Sequence, residues 1–554
     1  MKKNKTLIYI LVVIIGLIVV NTIAGQLYGR YDLTKDKRYT LSEATNTLVD
    51  AIDAPLIIDV FLEGDFPSEF RLLQTEVKQI IEEFQLKTNN IKVNYINPIE
   101  DEATRQRNID ELTKSGLEPY INTDNSTGKV TQEIIFPWAF ASYKDQTVKI
   151  PLLKKSITQT LQEQINNSIQ GIEYAFADGF SKLINTKAKT IAILKGNGEL
   201  NDLYIADFLQ TIQPYYKIAP FTLDSVSSNP QGTLDKLKQY DLIVVSKPTE
   251  AFSEKEKLVL DQYTMRGGKS LWLTESVIMD KDSLYNNTGA SVSIMRNLNL
   301  NDFFFKYGVR VNPSLVKDLY SAPIMLAIGE GSQAQLQPIQ WQYSPLAASN
   351  PKHPITKNLE LVKYDFTSPI DTLKNSVDKT ILLQSSPKSK LEGVLTNIAL
   401  ANVTKAPDES KYNSGPQNLA VLLEGEFTSV YDQRVLPFKV KNFQAKSTPT
   451  KMVVIADGDV IKNDVRKNRP LQLGVDYRGF EYGNKEFLLN TINYLLDDTG
   501  LINIRAKEIS IAYLDSDKIK DESGKWQLIN IALPLLILAL FGLAFNYLRK
   551  RKYA

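Results

Sequence analysis

The sequence predicts an α/β protein with two domains outside the membrane and one transmembrane helix at each end of the chain. Apolar segments without a charged residue lie at 6–24 and 526–548, and each is long enough to cross a hydrocarbon core of roughly 30 Å. A strand, an amphipathic helix and a second strand follow the first segment. From residue 190 onwards, apolar strands alternate with helices, which is typical of a doubly wound parallel sheet.

The basic residues beside the two apolar segments predict the orientation of the chain. Lys2, Lys3 and Lys5 precede the first segment, and the basic run 549–552 follows the second. Because basic flanks stay in the cytoplasm, we expect both termini to be cytoplasmic and the residues between the segments to lie outside. A cleaved signal peptide is the alternative for the first segment, but its apolar run is longer than usual for such peptides.

Six regions are expected along the chain. They are a transmembrane helix at 1–25, a thioredoxin-like domain at 26–186, a doubly wound domain at 187–500 with an insertion at about 280–450, a linker at 501–525, a transmembrane helix at 526–548 and a basic cytoplasmic tail at 549–554.

Composition excludes several functions. The 554 residues include 65 basic and 63 acidic side chains, so the net charge of +2 gives no nucleic-acid signature. There is no cysteine, which excludes thiol catalysis, thiolate zinc sites and disulfide bonds. His353, the one histidine, lies in a proline-bounded turn, where a structural or exposed position is favoured over catalysis.

The helices and strands of the first domain are predicted from the spacing of its apolar residues. Thr40 with Glu43 has the pattern of a capping box that opens a helix to about Ala51. The following elements are expected as strands at 56–62, 91–96, 133–136 and 146–150 and as helices at 68–87 and 156–184. The strand–helix–strand order is thioredoxin-like. Because the loop 63–67 carries no cysteine, we expect a scaffold or binding surface and not an oxidoreductase.

The second domain is predicted from alternating strands and helices. A capping box at Ser253 and Glu256 opens one of the helices, which runs to about Arg266. The predicted strands are 190–194, 217–222, 242–245, 270–273, 381–384, 419–424 and 452–456, and the other helices are 203–213 and 486–496. The less regular residues at about 280–450 are expected to form an insertion.

Two glycine-containing stretches resemble phosphate-binding motifs only in part. The run 267–270 (GGKS) ends like a phosphate-binding loop, but position 263 is Tyr263 and the glycines end a helix. Gly196 and Gly198 begin a dinucleotide fingerprint whose third glycine is replaced by Asn201. We therefore expect a helix end and a tight turn at these places.

The candidate functional residues follow predicted core strands at their C-terminal ends, the edge where open α/β sheets bind ligands. They are Gly196, Asn197, Gly198, Glu199, Glu275, Asp457 and Asp459. A cation or small-molecule site is one interpretation, and solvated loop and cap residues are the other. No catalytic residue, cofactor or metal is assigned. Trp341 with Tyr343 is expected in the core or, alternatively, at a ligand or partner surface.

Several stretches together resemble one family. They are 30–34, 37–42, 167–176, 191–200, 242–273 and the C-terminal apolar segment with its basic tail. In this ordered set the chain resembles the gliding-motility-associated ABC transporter auxiliary proteins of Bacteroidetes, the GldG family. The resemblance covers essentially the whole chain. One position departs from it, because relatives often carry histidine where this chain has Asn197.

The resemblance implies a fold and a function. The second domain would be flavodoxin-like or class I amidotransferase-like, as in an intraflagellar transport protein, and would lack catalysis. The chain would be an auxiliary subunit in the bacterial inner membrane with a periplasmic body, beside a polytopic permease and a cytoplasmic ATPase, with two copies per complex left open. The alternatives are an independent membrane-tethered receptor for a sugar or peptide, and a hydrolase that uses Glu199, Asp457 and Asp459.

Overall fold

A computed structural model shows a mixed α/β protein with several β-sheets. It describes residues 13–17, 20–21, 32, 34, 37–38, 40–124, 131–156, 158–184, 187–329, 334–507 and 516–553. The chain divides into two units, Met1–Leu33 with Arg38–Lys507, and Thr34–Lys37 with Glu508–Ala554. Of the transmembrane helix predicted at 1–25, residues 13–17 and 20–21 are helical and exposed, and the rest lies outside the described residues.

Between residues 40 and 184, the described part of the first unit contains four helices and six strands. They are α1 (Glu43–Asp50), β1 (Leu56–Val60), α2 (Ser68–Lys87), β2 (Ile91–Tyr95), α3 (Arg105–Lys114), β3 (Tyr120–Asp124), β4 (Thr131–Ile135), β5 (Trp138–Tyr143), β6 (Gln146–Pro151) and α4 (Leu161–Ile184). The sheet order is β2-β1-β5-β6, in which β1 and β2 are parallel and the other pairs antiparallel. Strands β3 and β4 form a separate hairpin.

Helices α2 and α4 supply apolar side chains to the core beside this sheet. The ring of Phe84 in α2 lies 5.7 Å from that of Phe176 and 5.3 Å from that of Phe180, both in α4. All three side chains are fully buried, which follows from the helical spacing of apolar residues on each helix. The helical spacing of the apolar residues therefore predicted both helices, and α2 has the predicted bounds.

Two predicted helix starts are wrong. Helix α1 is capped by Ser42, whose hydroxyl accepts a hydrogen bond from the Thr45 amide, and not by Thr40. Helix α4 begins at Leu161 and not near 156. Thr160 and Glu163 exchange hydrogen bonds as a capping box, which stops the helix from extending further back.

The larger part of the first unit begins with alternating strands and helices. They are β7 (Thr190–Lys195), α5 (Ala206–Ile212), β8 (Lys217–Thr222), α6 (Pro230–Leu237), β9 (Leu242–Ser246), α7 (Glu254–Met265) and β10 (Lys269–Leu273). The predicted capping box of Ser253 and Glu256 at the start of α7 is confirmed.

Short elements follow, and then the sheet resumes. They are β11 (Val277–Ile278), β12 (Ala290–Val292), β13 (Ile294–Met295), α8 (Asn301–Tyr307), β14 (Val309–Val311), β15 (Ser314–Asp318), β16 (Ser321–Ile328), β17 (Gln335–Ser349), β18 (Val362–Lys363), β19 (Ile370–Thr372), β20 (Asp378–Gln384), β21 (Ser389–Gly393), β22 (Asn397–Ala399), β23 (Asn418–Gly425), β24 (Thr450–Ile455), β25 (Val465–Arg466), β26 (Arg469–Pro470) and α9 (Asn484–Leu496).

These strands build one large sheet in the order β16-β17-β20-β23-β24-β10-β9-β7-β8, with β18 paired to β17. The five strands from β24 to β8 are parallel to one another, and the remaining neighbours pair antiparallel. Strands from the region 280–450 therefore extend the same sheet. Two large apolar clusters contain alternate residues of its central strands, Val244 in one and Val245 in the other, so both faces of the sheet are buried.

Charged residues join the two parts of the first unit. The Lys154 ammonium lies 2.7 Å from the Glu486 carboxylate in α9, and Arg505 Nη2 lies 2.8 Å from it. In addition, Glu173 in α4 accepts hydrogen bonds from the Ser42 amide at 2.7 Å and the Thr45 hydroxyl at 2.8 Å.

The same Glu173 carboxylate holds Lys507, at 2.9 Å, and the Lys507 ammonium also donates to the Thr40 carbonyl at 2.8 Å. We call Thr40, Ser42, Thr45, Glu173 and Lys507 the Glu173 clasp. Residues more than 460 positions apart in the chain thus meet at one buried carboxylate.

In the second unit, α10 (Ser516–Tyr553) is a single helix with Pro534 inside it. Among the described residues it provides the one stretch, Asp521–Arg551, whose length and composition suit a membrane span, and this stretch includes the predicted segment 526–548. The predicted linker 501–525 is structured in part. Residues 501–506 form a 3₁₀ helix in the first unit, and α10 begins at Ser516.

Candidate functional site

The C-terminal edge of the parallel strands brings three of the predicted carboxylates together. Glu275 follows β10, and Asp457 and Asp459 follow β24, the strand that pairs with β10. One carboxylate oxygen from each lies within 4.8 Å of the other two. Glu199 follows β7, two strands away from β10 in the sheet, and does not belong to this group.

A lysine lies in the middle of this carboxylate group. Lys247, directly after β9, places its ammonium 3.0 Å from Glu275, 2.7 Å from Asp459 and 2.6 Å from Asp280. The lysine is 4% exposed. A Cβ on Gly458 would lie 2.3 Å from Lys247 Cγ, so the absence of a side chain at position 458 lets the lysine pass. We call Lys247, Glu275, Asp280, Asp457 and Asp459 the edge cluster.

Arg296 connects the edge cluster to the next loop. Its Nη2 lies 3.4 Å from Glu275 Oε2, and its Nη1 donates to the Thr249 carbonyl at 3.5 Å. The Thr249 hydroxyl in turn donates to the Gly198 carbonyl at 2.9 Å. The glycine loop after β7 is therefore linked to the carboxylates through two side chains.

Burial and mutual repulsion control the protonation of the cluster. Burial raises the pKa of Glu275 to about 7, and Asp459 and Asp280 raise it further, although Lys247 and Arg296 act in the opposite direction. Burial, together with Asp459 and Glu275, also holds the pKa of Asp457 well above its usual range. Burial lowers the pKa of Lys247, but its carboxylate neighbours outweigh this and raise it overall. The lysine therefore stays charged, and part of the acidic charge is removed by protonation.

This arrangement disfavours the binding of a metal ion while Lys247 is charged. Its ammonium occupies the place between the carboxylates that a cation would take. The oxygens of Asp457 accept the amides of Asp365 at 2.6 Å and Asp459 at 2.7 Å, so this side chain holds two loops. The geometry is that of a charge-compensated network that fixes the loops at the edge of the sheet.

The glycine loop is tightly packed against the loop after β9. Gly198 has a φ of +73°, and a Cβ there would lie 2.0 Å from Thr249 Oγ1. Glu199 accepts the Asn197 amide at 2.8 Å, and burial raises the pKa of this carboxyl. Four buried polar atoms of described residues have no hydrogen-bond partner here, namely Asn197 Oδ1, Glu199 Oε1, Ser246 Oγ and Arg296 Nε.

A cavity of about 330 Å³ lies beside the edge cluster and is lined by Asp280 and Asp459 on that side. Elsewhere in its lining, Asp365 pairs with Lys281 at 2.6 Å and with Lys363 at 3.4 Å. Burial alone would raise the pKa of Asp365, but the two lysines lower it to about 2. Charges of both signs therefore line this cavity.

Comparison with known families identifies the larger part of the first unit. Residues 188–491 match the family described as an ABC-type uncharacterized transport system, and this range is more than half of the chain. The chain belongs to this ABC transport auxiliary family. Its role is therefore auxiliary to transport. Residues 35–142 match a second family, described as a domain of unknown function (DUF7088).

Two individual proteins are also similar to this ABC transport auxiliary protein. An uncharacterized protein of Borreliella burgdorferi is 20% identical over 538 residues, which cover 94% of each chain. The solved structure of the mmIFT52 N-terminal domain aligns with a TM-score of 0.31 and 12% identity, over 56% of this chain and 99% of that one.

Two further predictions concern residues away from the edge. Trp341 and Tyr343 are buried, with ring centroids 5.1 Å apart, and both pack on Phe366, so they belong to a core cluster. His353 Nδ1 accepts the Ile355 amide at 3.3 Å, and the ring packs on Tyr494. Burial lowers the pKa of His353, which suits a neutral structural side chain.

Sequence reasoning missed the cations of the edge cluster. Lys247 is the first charged residue after a buried strand, as Glu275 and Asp457 are. The rule that selected the carboxylates would have selected Lys247 as well, had it been applied to both signs of charge. Arg296 follows the short strand β13 and had no comparable signal.

Proposed function

We propose that this protein is a non-enzymatic, membrane-anchored auxiliary subunit of an ABC transporter, with a large periplasmic body that acts with a separate polytopic permease and a cytoplasmic ATPase. Family membership supports the transport role. The observation that carries the anchoring is the Glu173 clasp, because Thr40 and Lys507, which lie on the body side of the two apolar segments, are hydrogen-bonded at 2.8 Å. A common point of departure suits two segments that enter one bilayer.

The proposed topology has two crossings of the bacterial inner membrane, with both termini in the cytoplasm and the body in the periplasm. Basic residues flank both apolar segments on their outer sides, which supports this orientation. The α10 helix supports the second crossing.

The absence of native cysteine makes this topology directly testable. Single cysteines at Lys3, Val435 and Ala554 would be treated in intact cells with a thiol reagent that does not cross the inner membrane. Val435 is 94% exposed and should react, whereas the two terminal cysteines should react only after the membrane is opened. Protection of the Val435→Cys variant in intact cells, with reaction after opening, would contradict the periplasmic body.

The partners are proposed from the family and from the resemblance to gliding-motility proteins. The full chain, tagged and extracted in mild detergent, should co-purify with a polytopic permease and its ATPase, and deletion of the chain should impair gliding. The mass of the purified complex would give the number of copies, for which two is the working proposal. A stable solitary monomer in detergent would count against the transporter role.

The fold assignments proposed for the two parts rest on strand order. The order β2-β1-β5-β6, with one parallel and two antiparallel pairs, supports a thioredoxin-like N-terminal domain. The order β8-β7-β9-β10-β24 corresponds to 2-1-3-4-5 and supports a flavodoxin-like or class I amidotransferase-like second domain. Absence of catalysis is part of this proposal and is supported by the ion pair of Lys247 with Asp459, one of the three carboxylates that the hydrolase alternative uses.

A receptor for a sugar or peptide is the second candidate. It is favoured by the four unpartnered polar atoms at the glycine loop, since the β7/β9 junction is where a sheet of this order binds ligands. Screening sugars and peptides for thermal stabilisation of the full chain would distinguish the two functions. Stabilisation that is lost in Asn197→Ala, without a permease in the preparation, would favour the receptor. A hydrolase is excluded if alanine at Glu199, Asp457 and Asp459 leaves all function intact.

A further inference from the structure

A second cavity, which shares no lining residue with the edge cluster, lies where the two parts of the first unit meet. Its volume is about 310 Å³, which is within the range of small-molecule sites. Helix α4 contributes Gly171, Tyr174 and Ala175, and the segment after β6 contributes Leu152 and Leu153. The walls are therefore largely apolar.

The charges of this cavity do not balance. Its lining contains the cations Lys149, Lys154, Lys357 and Arg505, of which Lys357 donates to the Ala506 and Lys507 carbonyls, and two carboxylates, Asp178 and Glu486. Asp178 already pairs with Lys182 at 2.9 Å and accepts the Tyr215 hydroxyl at 3.0 Å.

The other carboxylate is shared by two cations. Lys154 at 2.7 Å and Arg505 at 2.8 Å both use Glu486. Burial lowers the pKa of Lys154, and the nearby Arg505 adds to this effect, so the carboxylates of Glu486 and, more weakly, Glu360 do not restore the ordinary value. Two cations held against one carboxylate in a largely buried place favour the arrival of a further negative charge.

We propose that this junction cavity binds a small amphipathic anion, whose carboxylate or phosphate lies between Lys154 and Arg505 and whose apolar part packs on Leu152, Leu153 and Ala175. The anion supplies the charge that Glu486 alone does not provide. A ligand there would touch residues from both parts of the first unit, so its binding would stiffen their junction. The inference does not depend on a permease or on the membrane topology.

The test is calorimetric titration of the full chain in nonionic detergent with hexanoate, and separately with its neutral analogue hexanol and with inorganic phosphate. Hexanoate should bind, and hexanol should bind at least about tenfold more weakly, because it lacks the charge. Lys154→Gln and Arg505→Gln should each weaken hexanoate binding about tenfold or more. Lys155→Gln is the matched control, since Lys155 pairs with exposed Glu118 and does not line the cavity.

The decisive variant is Glu486→Gln, which removes the competing carboxylate and should tighten hexanoate binding. A residue that only supports the fold would weaken binding when replaced, so the sign of the change separates the two roles. Folding of each variant is checked by its guanidinium midpoint, and if Lys154→Gln does not fold, Arg505→Lys takes its place with a smaller expected loss. Equal binding of hexanoate to the wild type and to Arg505→Gln, or unchanged or weaker binding to Glu486→Gln, overturns the proposal. Binding of phosphate without hexanoate overturns the amphipathic assignment.

Discussion

Replacing Lys247 by methionine removes the ammonium from the edge cluster and leaves its carboxylates facing one another. The lysine side chain is 5% exposed and lies 2.6–3.0 Å from Glu275, Asp280 and Asp459. Methionine keeps much of the length of the side chain, so the change is mainly one of charge. The folded structure should persist, with a large loss of stability.

The expected loss is about 4 kcal/mol in the free energy of unfolding at pH 8, because removing one partner of a buried ion pair costs about 3–5 kcal/mol. The loss should shrink towards pH 6. Burial raises the pKa of Glu275 to about 7 even with the lysine present, and without the lysine this carboxyl takes up a proton more readily. The difference between the variant and the wild type is therefore largest in alkaline solution.

The same variant should acquire affinity for Ca²⁺. Carboxylate oxygens of Glu275, Asp457 and Asp459 lie within 4.8 Å of one another, and oxygen ligands are those that Ca²⁺ prefers. Calcium at about one hundred times its dissociation constant should return about 2.7 kcal/mol to the variant. The wild type should gain nothing, since its own ammonium fills that position.

Guanidinium unfolding of the full chain in detergent, followed by tryptophan fluorescence at pH 6 and pH 8 with and without Ca²⁺, measures both effects. Lys462→Met is the matched control, because Lys462 is 27% exposed and lies 3.9 Å from Asp459, so its loss should be under about 1 kcal/mol. The reasoning is refuted if Lys247→Met costs no more than the control, or if Ca²⁺ stabilises the wild type and the variant equally.

Three further predictions concern single residues. Between pH 4.5 and 7 the wild type should lose about 3 kcal/mol of stability that Glu275→Gln does not lose. The pKa of Glu275 is raised in the folded state, so the folded protein keeps a proton on this carboxyl that the unfolded protein has released. Unfolding curves recorded across this pH range measure the difference. Glu173→Gln should speed hydrogen exchange at the Ser42 amide, because this amide donates to Glu173. The amide of Ser253, which caps another helix, should exchange at an unchanged rate. Equal protection of the Ser42 amide in the wild type and the variant would contradict the Glu173 clasp. Gly458→Ala should cost about 1–3 kcal/mol by overpacking against Lys247, whereas Gly393→Ala, which has open space, should be nearly neutral in the same denaturation assay.

Local signals in the sequence predicted the elements well, and non-local pairing limited the rest. Helix α2 has its predicted bounds because its apolar residues keep the helical period throughout. Helix α4 was predicted too long because the capping box of Thr160 and Glu163, which marks the start of the helix, was not recognised in the sequence. The pairing of β23 with β24 depends on contacts across an intervening loop, which no short stretch of sequence encodes.

The candidate site was predicted in part for the same reason. Knowing that parallel strands end at one edge was enough to select Glu275, Asp457 and Asp459, whose neighbouring strands bring them together. The interpretation of these carboxylates changes because of Lys247, which follows the neighbouring strand β9. A list of acidic residues alone suggested a cation site, whereas the structure shows a cluster that already contains its own cation.

The contact of Lys507 with both Thr40 and Glu173 makes residues 40–507 a polypeptide ring that is almost closed. A short peptide joining these two positions would span little distance, so the order of the chain could be permuted circularly, with new ends opened at the exposed Val435. A pull on the chain at Lys507 would load both its ion pair with Glu173 and its hydrogen bond to the Thr40 carbonyl.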